Sequence, residues 1–279
     1  MSRMQTLGTT DYTQVMGILN VTPDSFSDGG RYTTLEEAVA RAGAIDEVGA
    51  DIIDVGGEST RPGADPVSVQ EELERVLPVI EQITADPDID ALVSIDTYEP
   101  DVAEAALAAG ADIVNDQNGL DNPEMQSLVA THGCKAVLMD AVNLPVDAGY
   151  NPKSDDIVVD VYERLQDRVE RARVAGVSDD QLIIDPGIGF ATGAEDDLEL
   201  LARTGEFVDL GFPVLVGASR KSFTTEFVDL QPNERVAPSL AAHLVAAENG
   251  ANIVRVHDVA ETVAALRTAE ALWSRQRTQ

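Results

Sequence analysis

The chain has 279 residues, 44% of them hydrophobic, and carries 50 acidic against 19 basic side chains for a net charge of −31. That composition supports a sizeable core. Its surface would repel nucleic acid, and no apolar run is long enough to span a membrane. Cys134 is the single cysteine, which excludes an internal disulfide. It opens the apolar run Cys134–Met139 and is expected to be buried rather than reactive. The start, MSRMQTLGTTDYTQ, lacks the apolar stretch of a signal peptide, so the expectation is a cytoplasmic protein. Self-repulsion among so many carboxylates predicts a chain adapted to high salt.

In chain order, a short N-terminal extension (1–13) precedes the first apolar, β-branched run, Val15–Leu19. A polar stretch, NVTPDSFSDGG, follows and reads as a binding loop near 20–31. Thr34-Leu35-Glu36-Glu37 opens an Ala-rich helix with Gly49 as its stop. Strand Ile52–Val55 leads into a second polar loop near 56–66, then a helix over Val67–Ile83. Strand Leu92–Ile95 precedes a helix over Glu99–Ala109, and strand Ile113–Val114 one over Asn122–His132. Strand Ala136–Met139 precedes Asp156–Ala175, and Leu182–Ile184 precedes Glu195–Leu210. Strand Val214–Val216 precedes Arg235–Asn249, and Ile253–Val256 precedes a last helix from Val259. Stops at Gly110, Gly133, Gly176, Gly211 and Gly250 repeat the first. Three of them share the form Gly49-Ala50-Asp51, Gly110-Ala111-Asp112 and Gly250-Ala251-Asn252, a glycine C-cap and a polar entry to the next strand.

Eight strands alternating with helices predict an α/β fold, a single-domain (β/α)8 TIM barrel over 1–279, with an open doubly wound sheet as the alternative. The polar residues gather after the strands: Asn20, Asp54, Asp96, Asn115-Asp116, Asp185, Ser219-Arg220-Lys221-Ser222 and Arg255-Val256-His257-Asp258. In a barrel those strand ends make one face, where barrel enzymes carry their chemistry.

Arg61, Arg220, Lys221, Arg255 and His257 place scarce positive charge on that face and predict an anion site. Asp96, Asn115 and Asp185 supply acceptors suited to a flat ligand edge rich in N–H donors. Simpler roles compete. Asp54 and Asp116 are expected to hold turns, Gly187 and Gly189 to be turn glycines, and His132 and His243 to be structural. No His/Cys metal cluster exists. Asn20, Asp24 and Asp28 offer hard oxygens that suit Mg²⁺ shared with a substrate phosphate. The GASRKS stretch lacks P-loop spacing, and no nucleophile–base pair is evident.

These motifs resemble one family. MGILNVTPDSFSDGG (16–30) is similar to the first signature of the dihydropteroate synthases and GGESTRPG (56–63) to their second loop. DPGIGF (185–190), SRKSF (219–223) and RVHD (255–258) follow in order. The resemblance implies the barrel fold, a homodimer, and condensation of a hydroxymethyl-dihydropterin diphosphate with p-aminobenzoate, releasing pyrophosphate and forming dihydropteroate. It implies that Asp96, Asn115, Met139, Asp185 and Lys221 hold the pterin. Arg255, His257 and Asn20 would hold the diphosphate, with Mg²⁺ on Asn20 and Asp28. Thr60, Arg61, Phe190 and Ser222 would build the p-aminobenzoate side. Asp96, Asp185, Lys221, Arg255 and His257 would carry the catalytic electrostatics.

After the fifth strand the family's Met-His-Met is replaced by Met139-Asp140-Ala141, and Gln117-Asn118-Gly119 is also unusual. These departures leave open a related transferase using another arylamine, as in methanopterin synthesis. A pterin-binding methyl-carrier barrel is a third reading. It would not need the first loop or a diphosphate clamp.

Overall fold

In the computed structural model, residues 3–22, 33–58, 67–141, 154–190 and 193–276 are described. Eight strands alternate with helices: β1 (Gln14–Asn20), β2 (Ile52–Gly56), β3 (Leu92–Asp96), β4 (Ile113–Asp116), β5 (Lys135–Met139), β6 (Leu182–Asp185), β7 (Leu215–Val216) and β8 (Ile253–Val256). All pairings are parallel, in the order β6-β5-β4-β3-β2-β1-β8-β7. A parallel bridge between Ile184 and Val214 joins the two ends. The expected (β/α)8 barrel is therefore the observed fold, and the open sheet is excluded.

The helices are α1 (Arg3–Thr6), α2 (Thr33–Glu47), α3 (Val69–Ala85), α4 (Pro100–Ala108), α5 (Pro123–His132), α6 (Ile157–Val174), α7 (Ala194–Ala202), α8 (Thr204–Val208), α9 (Val236–Glu248) and α10 (Val259–Gln276). Each of the six predicted glycine stops adopts positive φ, from +67° at Gly133 to +105° at Gly110, a conformation that costs glycine little. The three Gly-Ala-Asp/Asn repeats do more than enter a strand. Asp51 Oδ2 accepts the Val15 amide, Asp112 Oδ2 the Val93 amide and Asn252 Oδ1 the Val214 amide, each at 2.9 Å. The same residues donate their own amides to the carbonyls of Val15, Val93 and Val214. One short motif thus pins neighbouring strands in register three times around the barrel.

One expectation changes. Glu195–Leu210 forms two helices, broken at Arg203 (φ −108°, ψ 23°). Buried Thr204 turns its hydroxyl back onto the carbonyls of Leu200 and Leu201, and Gly205 follows, so the local bonds compete with helix continuation. The extension 1–13 also has a structural job. Leu7, 2% exposed, packs against Met16, Ile52, Leu92, Ile113, Val137, Ile183, Leu215 and Ile253, one residue from every strand. This apolar layer closes the N-terminal end of the lumen. A second, larger core lies between strands and helices.

Candidate active site

Side chains two residues apart share one face of a strand. Two residues beyond the apolar layer, the same face carries Ile18, Asp54, Ser94, Asn115, Met139, Asp185, Gly217 and Arg255. Two further on come Asn20, Gly56, Asp96, Gln117, Ala141, Gly187, Ser219 and His257. Of the polar residues counted as following the strands, Asn20, Asp54, Asp96, Asn115, Asp185, Ser219, Arg255 and His257 therefore continue the inward-facing alternation, and the lumen changes from hydrocarbon to charge within one layer.

Arg255 joins the two halves of the site that the sequence keeps apart. Its Nε donates to Asp54 Oδ2 at 2.6 Å and its Nη2 to Asp96 Oδ2 at 2.5 Å. Asp54 is fully buried and also accepts from Asn115 Nδ2 at 3.1 Å. Asp54 is thus not a turn residue but the centre of the floor, which corrects the sequence expectation. Its place in the Ile52, Asp54, Gly56 alternation was the available signal. Asp116 does hold a turn: it accepts the amides of Asn118 and Leu120.

Burial pushes the Asp96 carboxyl up to about 6, against the pull of Arg255 and with a contribution from Asp54. Burial also raises Asp185 to about 6, opposed by the Gly187 amide and by Lys221. Lys221 is lowered to about 8, by burial first and then by Arg255, while Asp185, Asp197 and Asp96 resist. Burial works against the Arg255 charge as well, but Asp54 and Asp96 outweigh it and hold the guanidinium firmly protonated. Three groups with pKa values moved towards neutrality thus share one barrel mouth, the pattern by which a candidate functional site is recognised.

The DPGIGF segment positions two of them. Asp185 Oδ1 accepts the Gly187 amide at 2.8 Å. Gly187 has φ +73°, and a Cβ there would lie 2.0 Å from the Asp140 carbonyl oxygen. At Gly189 a Cβ would meet the Lys221 stem at 2.9 Å. Both glycines are needed for close approach and not merely for turning. Lys221 Nζ sits 3.8 Å from the Phe190 ring centroid, so the two residues assigned to different substrates touch.

On the other side, His257 donates its amide to Ser219 Oγ at 3.1 Å and holds Nδ1 3.0 Å from the same oxygen. Arg220 is bound in two places by Asp258 at 3.0 and 2.5 Å, so its charge is already balanced. Ser222 is exposed and opens a 3₁₀ turn, Ser222–Glu226. Met139 is buried at the end of β5, paired in register with Asp185. Asn20 ends β1, its Oδ1 3.7 Å from where a Gly56 Cβ would stand. Asp24, Asp28, Thr60 and Arg61 lie outside the described residues.

At the base of the second loop, Glu58 Oε1 accepts the Val67 amide at 3.2 Å and Oε2 the Tyr98 hydroxyl at 2.8 Å. Arg75 donates to the Gly57 carbonyl at 2.6 Å. Beside them Glu72 is buried and raised to about 7, mainly by burial.

Asp140, where the family resemblance expects histidine, is 3% exposed and accepts from Arg164 through both oxygens, at 2.8 to 3.1 Å. Its amide donates to the Asp185 carbonyl at 2.9 Å. Arg168, buried behind it, ties the carbonyls of Asn118 and Ala141 together. The departure after the fifth strand is thus a half-buried ion pair on the β5 end, with Arg168 beside it linking the β4 and β5 ends. Its partners on α6 could not be paired with it from sequence. His243 is buried and accepts the Ala218 amide at 3.2 Å; burial lowers it to about 4. Burial raises Cys134 to about 11. Both have the structural roles expected of them.

Residues 16–257 match the sequence profile of the pterin binding enzyme family. The dihydropteroate synthase of Escherichia coli K12 is 45% identical over 260 residues, 93% of this chain and 92% of that protein. A Halobacterium salinarum protein described as a probable bifunctional folylpolyglutamate synthase/dihydropteroate synthase is 55% identical over 93% of this chain, which spans only 31% of that relative. The structure of Xanthomonas albilineans dihydropteroate synthase with 4-aminobenzoic acid superimposes with a TM-score of 0.87, at 47% identity, covering 94% of each chain. The chain belongs to the pterin binding enzyme family, among its dihydropteroate synthases.

Proposed function

We propose that the chain condenses 6-hydroxymethyl-7,8-dihydropterin diphosphate with p-aminobenzoate, forming 7,8-dihydropteroate and pyrophosphate. The observation that carries this reading is the lumen network of Asp54, Asp96, Asn115 and Asp185 with Lys221 and Arg255. It offers buried acceptors to an amino-pyrimidinone edge and cations to its carbonyl and diphosphate. Preorganised charge of this kind is often the largest catalytic contribution.

In this reading Asp96, Asn115 and Asp185 orient the pterin, Met139 packs on its ring and Lys221 meets its carbonyl. As the methylene–oxygen bond breaks, positive charge grows on the methylene and is shared by the pterin. The buried carboxylates oppose that charge. Arg255 and His257 neutralise the departing pyrophosphate. The arylamine attacks as a neutral nucleophile and needs no strong base. Phe190, Ser222, Thr60 and Arg61 hold p-aminobenzoate, and the loops near 20–31 and 56–66 exclude water from the cation.

Asn20 fits a Mg²⁺ partner. Its amide oxygen is a hard donor, and Gly56 leaves open the space between it and Asp96 Oδ2, each 3.7 Å from an added Cβ. Asn20, with Asp28, would hold the ion, which when bound supplies charge neutralisation at the diphosphate.

The reading includes a cytoplasmic homodimer without nucleic-acid or membrane partners. A net charge of −31 supports the first exclusion. Among the described residues no helix is long and apolar enough to cross a membrane. Salt adaptation is supported by the same charge and by the Halobacterium relative.

The test is a direct assay in concentrated potassium chloride with Mg²⁺, following pyrophosphate and dihydropteroate by mass. Matched production of both from the two substrates is expected. Binding of the pterin diphosphate without coupling would transfer the reading to another arylamine. No binding by folded protein would end it.

A further inference from the structure

Gln117 stands one residue past β4, on the lumen face beside Asp96. It is 5% exposed, and its Nε2 donates to Asp96 Oδ1 at 2.8 Å. Its carbonyl oxygen, Oε1, is buried and has no hydrogen-bond partner among the described residues. The carboxamide cannot simply be reversed: an ionised Asp96 accepts only, so the nitrogen must face it. The other Asp96 oxygen is taken by Arg255 at 2.5 Å.

The result is an uncharged acceptor held next to a charged one. A buried carbonyl without a donor carries a desolvation cost that a ligand N–H would relieve. Two other unpartnered atoms, Asp54 Oδ1 and Ser94 Oγ, lie one layer deeper, at facing register positions. Gln117 is in the layer nearer the open end, level with Asp96 and His257 and directly above Asn115 on the same strand face.

We propose that Gln117 is a specificity-determining residue for the pterin, its Oε1 accepting an N–H from the same edge of the heterocycle that Asp96 reads. This rests on the function proposed above. An amino-pyrimidinone edge presents adjacent donors, its exocyclic amine and its ring N–H, which suit adjacent acceptors. A glutamate here would set a second carboxylate against Asp96. An apolar residue would supply neither the acceptor nor the donor that steadies Asp96.

The test is calorimetric binding of 6-hydroxymethyl-7,8-dihydropterin, its 2-desamino analogue and its N3-methyl analogue to the full chain, to Gln117→Met and to Gln117→Ala. Melting curves identify which variants fold, and Gln117→Ala serves if Gln117→Met does not. The parent pterin should bind the variant about 10-fold more weakly. One analogue, the one lacking the N–H that Gln117 accepts, should bind wild type and variant equally. KM for p-aminobenzoate should not move. Unchanged binding of the parent would overturn the proposal. So would equal weakening of all three ligands, which would mean that Gln117 acts only by holding Asp96. Failure of the wild-type chain to bind the parent would instead overturn the functional reading beneath it.

Discussion

Asp54 and Arg255 stand 201 residues apart in sequence and meet in the barrel lumen at 2.6 Å. The carboxylate is fully buried and the guanidinium side chain is 21% exposed. Asp54→Ala removes the acceptor from both Arg255 and Asn115 and leaves a cation short of its partner in a desolvated layer. A loss of about 3 kcal/mol is expected, the lower end for a broken buried pair because Arg255 keeps Asp96 and some solvent. Urea unfolding checks it. An unchanged midpoint would show that the pair contributes nothing to folding.

The site's acids and base set a pH window for binding. Asp96 and Asp185, near 6, must be ionised to accept from the pterin, and Lys221, near 8, must keep its proton. Pterin affinity should therefore be highest between about 6 and 8 and fall on both sides. Calorimetry across pH reads this directly, and a flat profile from pH 5 to 9 would remove these groups from the site.

The same shifts make a stability prediction of the opposite kind. Asp185 has a folded value raised from 3.8 to about 6. Its contribution favours folding at low pH and is lost as pH rises through 6, because the folded chain must then bury a charge. Asp185→Asn should unfold at higher urea than wild type at pH 8, with the advantage shrinking at pH 5, while pterin binding is lost. A variant less stable at both pH values would contradict this assignment.

Asp140 and Arg164 should behave as a unit. Asp140→Ala leaves Arg164 and buried Arg168 facing each other near the Asp185 strand end, and about 2–3 kcal/mol of stability should go, moderated by the partial exposure of Arg164. Asp140→His, restoring the residue type of the family motif, should be no better, since it sets an imidazole against two guanidinium groups. A double-mutant cycle with Arg164→Ala should return a coupling of about 1 kcal/mol or more. Additive losses would show the pair to be incidental.

A net charge of −31 predicts a salt response. Thermal unfolding in low and in multimolar potassium chloride should give a higher Tm in high salt, because screening relieves self-repulsion. A falling or constant Tm would argue against salt adaptation.

The alternation of strands and helices, the glycine stops and the strand-end motifs were all legible in the chain, because each is local: a side-chain period, a φ only glycine takes cheaply, a run of signature residues. Even the Gly-Ala-Asp/Asn repeat was visible, though not its work of pinning the neighbouring strand. The sequence by itself determined the alternation of strands and helices, the strand ends where the polar residues gather and the family resemblance; the bridge between Ile184 and Val214 decided for the closed barrel over the open sheet. Only the tertiary structure decided which charges are paired. Asp54 looked like a turn residue until Arg255 and Asn115 arrived from distant strands. Arg220 looked like an available cation until Asp258 balanced it, and Asp140 looked anomalous until Arg164 closed on it from α6. Charge pairing in a lumen depends on which strands are neighbours and at what register, and a linear pattern carries no distance between residues 201 positions apart.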